Sequence, residues 1–281
     1  MALVTLCDIL HKADCSDYAI GSFNVLNMEM VIGTIKAAED THSPVIMQVA
    51  EPRLKHAPLQ LIGPIMLAAA NQAKVPVAVH LDHGSSISII RQALELGFSS
   101  VMYDGSHLPL AANIARTNEV LQLARTYGAS MEAEIGRVGG SEDNSQDIEM
   151  VVTQVKDAQR FFECTGVDAL AVAIGNIHGI YKKEPNLQFG RLADLNQAVA
   201  APLVLHGGSG ISAADFRECI RLGIKKINVQ TATLSRISSS ITQLVQECET
   251  VDYFDLHQIM VDATYNSVKE HIAAFKSENR A

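Results

Sequence analysis

An eightfold alternation of short apolar, β-branched segments with longer helical stretches predicts an α/β fold, a single (β/α)8 TIM barrel with an extra C-terminal helix. Two observations support closure over an open sheet. Eight strand–helix units are more than a doubly wound open sheet usually has. The first apolar segment ends Phe23-Asn24-Val25, without the glycine fingerprint of a doubly wound sheet. One domain over residues 1–281 is expected, because no linker or low-complexity stretch divides the chain.

The expected strands are Tyr18–Val25, Pro44–Ala50, Val77–His83, Ser100–Ser106, Ser130–Gly136, Asp168–Gly175, Leu203–Gly207 and Lys225–Thr231. Helical periodicity covers Asn27–Thr41, Leu59–Ala73, Ser86–Leu96, Ala111–Tyr127, Thr153–Thr165, Phe189–Val199, Ala213–Leu222 and Ala232–Glu249. Leu256–Phe275 supplies the extra helix. Gly97, Gly128, Gly166 and Gly223 fall where helices should end, and Pro44, Pro76 and Pro202 immediately precede strands.

Composition narrows the function. The 281 residues carry a net charge of −9, so neither nucleic acid nor an anionic membrane surface is an expected partner. No apolar run approaches the roughly 20 residues of a membrane helix. The opening stretch meets Asp8 and His11 too early for a signal peptide. Five cysteines without a CxxC pair fit a reducing, cytoplasmic setting rather than a disulfide framework.

Barrel active sites lie at the C-terminal strand ends, so polar residues there carry the argument. Asp82 and His83 end the third segment, and Asp104 and His107 end the fourth; His107 fits either a structural or a site role. Glu132 and Glu134, two apart, share one strand face, while Met131, Ala133 and Ile135 face the helices. His178 follows the sixth segment, His206 ends the seventh, and Asn228 and Thr231 lie at the eighth. Three imidazoles at equivalent strand ends suit a catalytic zinc, with zinc–nitrogen distances of about 2.0–2.1 Å. The neighbouring carboxylates would repel one another without a cation, or else form a hydrated cluster at the barrel mouth. His80 sits one layer deeper and is expected in the core.

Gly207-Gly208-Ser209-Gly210 leads into a helix, and its backbone N–H groups could hold an anion, with Lys182 or Lys183 adding a cation. The loop Gly139-Gly140-Ser141-Glu142-Asp143-Asn144 is either a glycine-hinged lid or an ordinary solvated acidic loop.

These segments, VHLDHGSS at 79–86, SVMYDGSHLP at 100–109, MEAEIGRVGGSED at 131–143, AVAIGNIHGIY at 171–181, LVLHGGSG at 203–210 and KINVQT at 226–231, resemble the zinc-dependent class II ketose-bisphosphate aldolases. The likeness runs over nearly the whole chain and is closest to the fructose- and tagatose-bisphosphate branches. It implies Zn2+ on His83, His178 and His206, with Asp104 and Glu134 at a second or alternative metal position. It implies Asp82 as the acid/base at the C4 hydroxyl, Glu142 as a proton carrier at the dihydroxyacetone phosphate carbon, and Asn228 as support for the enediolate. Asn24, Gly179, Lys182, Gly207, Gly208, Ser209 and Thr231 would bind the phosphorylated sugar beside a monovalent cation (Na+ or K+). A homodimer or homotetramer is also implied.

The activity so implied is reversible cleavage of a ketose 1-phosphate or 1,6-bisphosphate into dihydroxyacetone phosphate and an aldehyde, through a zinc-stabilised enediolate. A Schiff-base lysine is rejected, since the sixth segment has none. The stretch Val251-Asp252-Tyr253-Phe254-Asp255 lacks the arginine that many bisphosphate enzymes of the family carry in an Asp-Pro-Arg segment. The second segment ends Gln48-Val49-Ala50 without a serine seen in some of them, and Gln230 stands where Asp or Asn is frequent. The aldehyde therefore need not be phosphorylated. The competing readings are a zinc hydrolase on the same barrel and a non-catalytic, aldolase-like partner subunit.

Overall fold

In a computed structural model that describes residues 2–140, 148–179, 181 and 184–281, eight parallel strands close into a barrel. Around the barrel run β1 (Ile20–Asn24), β2 (Val45–Ala50), β3 (Val77–Gly84), β4 (Ser100–Tyr103), β5 (Ser130–Ile135), β7 (Ala169–Val172), β9 (Leu203–Leu205) and β10 (Ile224–Val229). Pairing of β10 with β1 completes the circle and leaves no free edge. The strand–helix alternation is as expected, with α2 (Met28–Asp40), α3 (Leu59–Gln72), α4 (Ile87–Leu96), α5 (Leu110–Thr126), α6 (Val155–Thr165), α7 (Phe189–Ala198), α8 (Ala213–Arg221) and α9 (Thr231–Glu247) outside.

Side-chain alternation sorts the strands into two environments. Met47, Val49, Val79, Leu81, Met131, Ala133 and Leu205 join the apolar layer under the helices. Residues of the other parity face inward, where Ile20, Ile46, Ala78, Ala169, Ala171 and Val204 form the floor. Above that floor the interior turns polar, with Ser22, Gln48, His80, Ser100, Glu132 and Lys226 all fully buried.

Helix α1 (Leu6–Asp14), absent from the sequence expectation, closes the bottom of the barrel. Leu6, Leu10 and Ala13 are fully buried and Ile9 nearly so, against Ile20, Ile46, Ala78 and Val204. Its start is a capping box: Thr5 Oγ1 accepts from Asp8 N at 3.1 Å, and Asp8 Oδ2 accepts from Thr5 N at 3.2 Å. That Thr-x-x-Asp signal is present in the sequence and marks the missed helix.

The extra helix is α10 (Tyr253–Phe275), three residues longer at its start than expected. Asp252 caps it, Oδ1 accepting from Phe254 N at 2.8 Å, which is why it begins early. It packs across α2 and α9, and the approach to α2 depends on Gly33, where a Cβ would lie 2.6 Å from Val261 O. Gly97 and Gly166 cap α4 and α6 with φ of 101° and 63°, as the sequence implied.

Six strand ends fall short of the expected ranges: β1, β4 and β5 stop at Asn24, Tyr103 and Ile135, and the last three barrel strands stop before the loops that build the site. The sixth barrel strand stops at Val172 rather than Gly175, because Asn176 Oδ1 accepts from Ile174 N at 2.8 Å and Gly175 turns with φ 109°. The seventh stops at Leu205 and the eighth at Val229, so His206 and Asn228 still crown the barrel while Thr231 opens α9. A small sheet pairs β6 (Gly139–Gly140) with β8 (Ile177–His178) above the rim. Glycines expected to hinge a loop are thus in a strand beside His178, while Ser141, Glu142, Asp143 and Asn144 lie outside the described residues.

Candidate active site

The sequence places Asp82 and His83 side by side, and regular alternation would send them to opposite faces. The backbone resolves the conflict at His83, which adopts φ 46° where the β3–β4 register shifts between Leu81 and Gly84. This left-handed turn at a non-glycine residue costs on the order of 1–3 kcal/mol and lets both side chains serve one centre. Asp82 is fully buried and His83 is 6% exposed.

His83, His178 and His206 converge as expected. One ligand atom from each lies within 4.8 Å of the other two. Ring centroids are 4.9 Å apart for His83–His178 and 4.6 Å for His83–His206. His206 Nε2 lies 2.9 Å from Glu132 Oε1, which leaves Nδ1 toward the cluster with no hydrogen bond. A buried imidazole nitrogen with a lone pair and no donor, beside two further imidazoles, fits a divalent ion such as zinc.

Asp104 and Glu134 are drawn to the same place, and His83, Asp104 and Glu134 form a second candidate ligand group within 4.8 Å. Asp104 Oδ2 lies 2.8 Å from His83 Nδ1, and Oδ1 accepts from Ser106 N at 3.1 Å. Burial opposes ionisation of Asp104, but the hydrogen bond and charge of His83, with the Ser106 bond, hold it below the usual carboxylate range. Glu134 behaves oppositely: burial first, then the negative charge of Asp104, pushes it well above the ordinary value. Two carboxylates driven apart in this way are a further mark of a site suited to a cation.

Asp82 is held from both sides. Its Oδ2 accepts from Gln48 Nε2 at 2.9 Å and its Oδ1 from Asn228 Nδ2 at 3.1 Å. Gln48 is itself fixed by Ser22 Oγ, which donates to its Oε1. With its amide hydrogens turned to Asp82, Asn228 presents a buried Oδ1 that accepts no hydrogen bond, and Asn24 presents another. Both line a recess with His178, Gly179, Gly207, Ser209, Gln230 and Thr231. Such acceptors can take hydroxyl hydrogens of a polyol.

The expected anion loop lies on that recess, with one change. Gly208 N donates to Asn228 O at 3.0 Å, so its N–H is committed within the fold and is not an anion donor here. Ser209 Oγ accepts from Ala232 N at 2.9 Å, leaving its O–H to donate. Gly207 has φ 64°, and a Cβ there would lie 2.0 Å from Ile177 O, so only glycine brings this loop against β8. Lys182 and Lys183 lie outside the described residues.

Several supporting residues were not picked out from the sequence. Asn176 Nδ2 donates to His206 O at 3.0 Å. Tyr181 donates its O–H to Gly207 O at 3.1 Å and accepts from Ile177 N at 3.0 Å, tying the sixth and seventh loops together. Gln48 and the fully buried Lys226 complete the set. The alternation that marked Glu132 and Glu134 would have pointed Gln48 and Lys226 inward too.

Fold and site define a (β/α)8 barrel with a histidine–carboxylate centre at the C-terminal rim. The chain belongs to the class II fructose-bisphosphate aldolase family, whose model matches residues 4–280. It is 42% identical over 243 residues, 85% of each chain, to a Bacillus subtilis (strain 168) protein described as a "probable fructose-bisphosphate aldolase". Its structure resembles the YdjI aldolase of Escherichia coli K12, with a TM-score of 0.90, 35% identity and 99% of both chains covered. The fold alone is shared at 23% identity with the fructose-bisphosphate aldolase of Campylobacter jejuni, with a TM-score of 0.81 over 100% of this chain and 97% of the other.

Proposed function

We propose that this class II aldolase cleaves, reversibly, a ketose 1-phosphate or 1,6-bisphosphate of the fructose or tagatose type into dihydroxyacetone phosphate and an aldehyde. The observation that carries the reading is the convergence of His83, His178 and His206 beside a carboxylate, Asp82, whose oxygens are held by two amide donors. The three histidines would hold a zinc ion, and Asp104 and Glu134 are the residues for a second or alternative position. When bound, such an ion supplies Lewis-acid polarisation of the ketose C2 carbonyl.

The chain's own residues account for the rest. Asp82 takes the proton from the C4 hydroxyl as the C3–C4 bond breaks, and C4 leaves as an aldehyde. The electron pair stays on C3 of the three-carbon half, where Glu142 is assigned to deliver a proton. The Oδ1 atoms of Asn24 and Asn228 accept from sugar hydroxyls. Gly179, Gly207, Ser209, Thr231 and Lys182 grip the 1-phosphate, with a monovalent cation nearby. Holding the phosphate fixes the scissile bond against Asp82, an orientation effect worth several kcal/mol. The aldehyde need not carry a phosphate, and a homodimer or homotetramer is the proposed assembly.

A retro-aldol assay after dialysis against chelator, with zinc add-back, tests the metal reading: activity should vanish and return. Comparing kcat/KM for fructose 1,6-bisphosphate, tagatose 1,6-bisphosphate and fructose 1-phosphate tests the aldehyde. A strong preference for a bisphosphate refutes the unphosphorylated half, and no cleavage of any of the three refutes the aldolase reading.

A further inference from the structure

Below the rim lies a charged layer that the reaction above leaves unused. Lys226 of β10 is fully buried, with Nζ 2.7 Å from Glu132 Oε2 of β5. The other oxygen of the same carboxylate, Oε1, lies 2.9 Å from His206 Nε2. His80 flanks the pair, its Nε2 3.8 Å from Glu132 Oε2 and its Nδ1 2.7 Å from Ser100 Oγ. The side chains of Lys226, Glu132, His80 and His206 are all at 0% exposure, so the layer is shielded from bulk solvent.

A buried ion pair is weak evidence for stability, since apolar residues of similar volume commonly do as well. What the pair does fix is a direction. The contact is an ion pair, a positive ammonium drawn to one oxygen of a negative carboxylate at 2.7 Å. With Oε2 drawn to the ammonium by charge, Glu132 is held in the rotamer that offers Oε1 to His206. An imidazole with its one hydrogen on Nε2 must present Nδ1 as the lone-pair nitrogen. That nitrogen faces the histidine cluster, 3.4 Å from Glu134 Oε2.

We propose that Lys226, acting through Glu132, is a positioning residue for the metal centre, fixing which nitrogen His206 offers. The inference rests on His206 being a metal ligand, as proposed above. Removing the ammonium leaves Glu132 Oε2 without its partner, so the carboxylate no longer has a fixed rotamer and the ring loses its orientation.

The test compares the zinc-loaded wild-type protein with K226M and E132Q, and uses H206A as the reference for a lost ligand. Zinc affinity is measured by competition with a chelator, and the visible spectrum of the cobalt-substituted protein reports the ligand set. Both variants should bind zinc about 10–100-fold more weakly, the loss usual when a partner that orients a ligand is removed. Their cobalt bands should move toward those of H206A. A residue serving only the packing would lower Tm and leave affinity and spectrum alone. Wild-type protein that binds no zinc refutes the metal reading itself. Zinc held by the wild type, with both variants within twofold of it and spectra unchanged, overturns the role of Lys226. If either single variant does not fold, the double variant E132L/K226M removes both charges, and the same two measurements decide.

Discussion

His83 Nδ1 and Asp104 Oδ2 are 2.8 Å apart, joining the ends of β3 and β4 across the barrel rim. The carboxylate sets both the tilt and the tautomer of the ring, so Nε2 is the nitrogen turned away from it. Asp104→Ala should therefore weaken zinc binding by about 10–100-fold, measured by chelator competition. Saturating zinc should restore most of kcat. If kcat stays low at saturation, Asp104 acts on the substrate or on a second ion rather than through His83.

Asp82 meets the neutral amides of Gln48 and Asn228, which donate one hydrogen bond to each of its oxygens. Asp82→Asn keeps the shape and loses the base, so kcat for cleavage should fall by about 10²–10⁴-fold. Zinc content, read by atomic absorption, should not change. Turnover near the wild-type rate would end the assignment of Asp82 as acid/base.

Burial and the charge of Lys226 depress the His80 pKa to about 3. An unfolded histidine titrates near 6.5, so the folded state favours the neutral ring. Stability from this residue is complete above about pH 6.5 and is lost as pH falls toward about 3. The unfolding free energy of the wild type should drop by several kcal/mol over that window, followed by urea titration at each pH. His80→Gln, which cannot charge, should have a flatter profile. Parallel profiles for the two proteins would contradict this account.

Tyr181 links Ile177 N to Gly207 O. Tyr181→Phe removes both bonds and leaves a half-buried N–H and C=O unmet, a loss of roughly 1–3 kcal/mol. The loops it joins carry Gly179, Gly207 and Ser209 of the proposed phosphate grip. KM for the ketose phosphate should rise while zinc affinity holds, measured on one preparation by steady-state kinetics and chelator competition. An unchanged KM would separate the tie from substrate binding.

The barrel was legible because alternation of strand and helix is written in periodicity, and its strand ends named most of the rim. Parity alone marked Glu132 and Glu134 as inward-facing, and both are. It could not show how His83 joins Asp82, because a bulge and a left-handed backbone overrule alternation there. Nor could it foresee β8, whose partner Gly139–Gly140 is distant in sequence and whose pairing depends on tertiary placement. Backbone donors were the weakest inference. A glycine run advertises N–H groups but not their partners, and Gly208 is engaged with Asn228 O. Gln48 and Tyr181 received no site role from the sequence because neither belongs to a residue type read as reactive; each works by holding something that is.

Helix α1 seals the foot of the barrel with Leu6, Ile9, Leu10 and Ala13. The well under the rim is therefore blind, and on the proposed function both fragments of a cleaved ketose leave by the opening through which the intact molecule came.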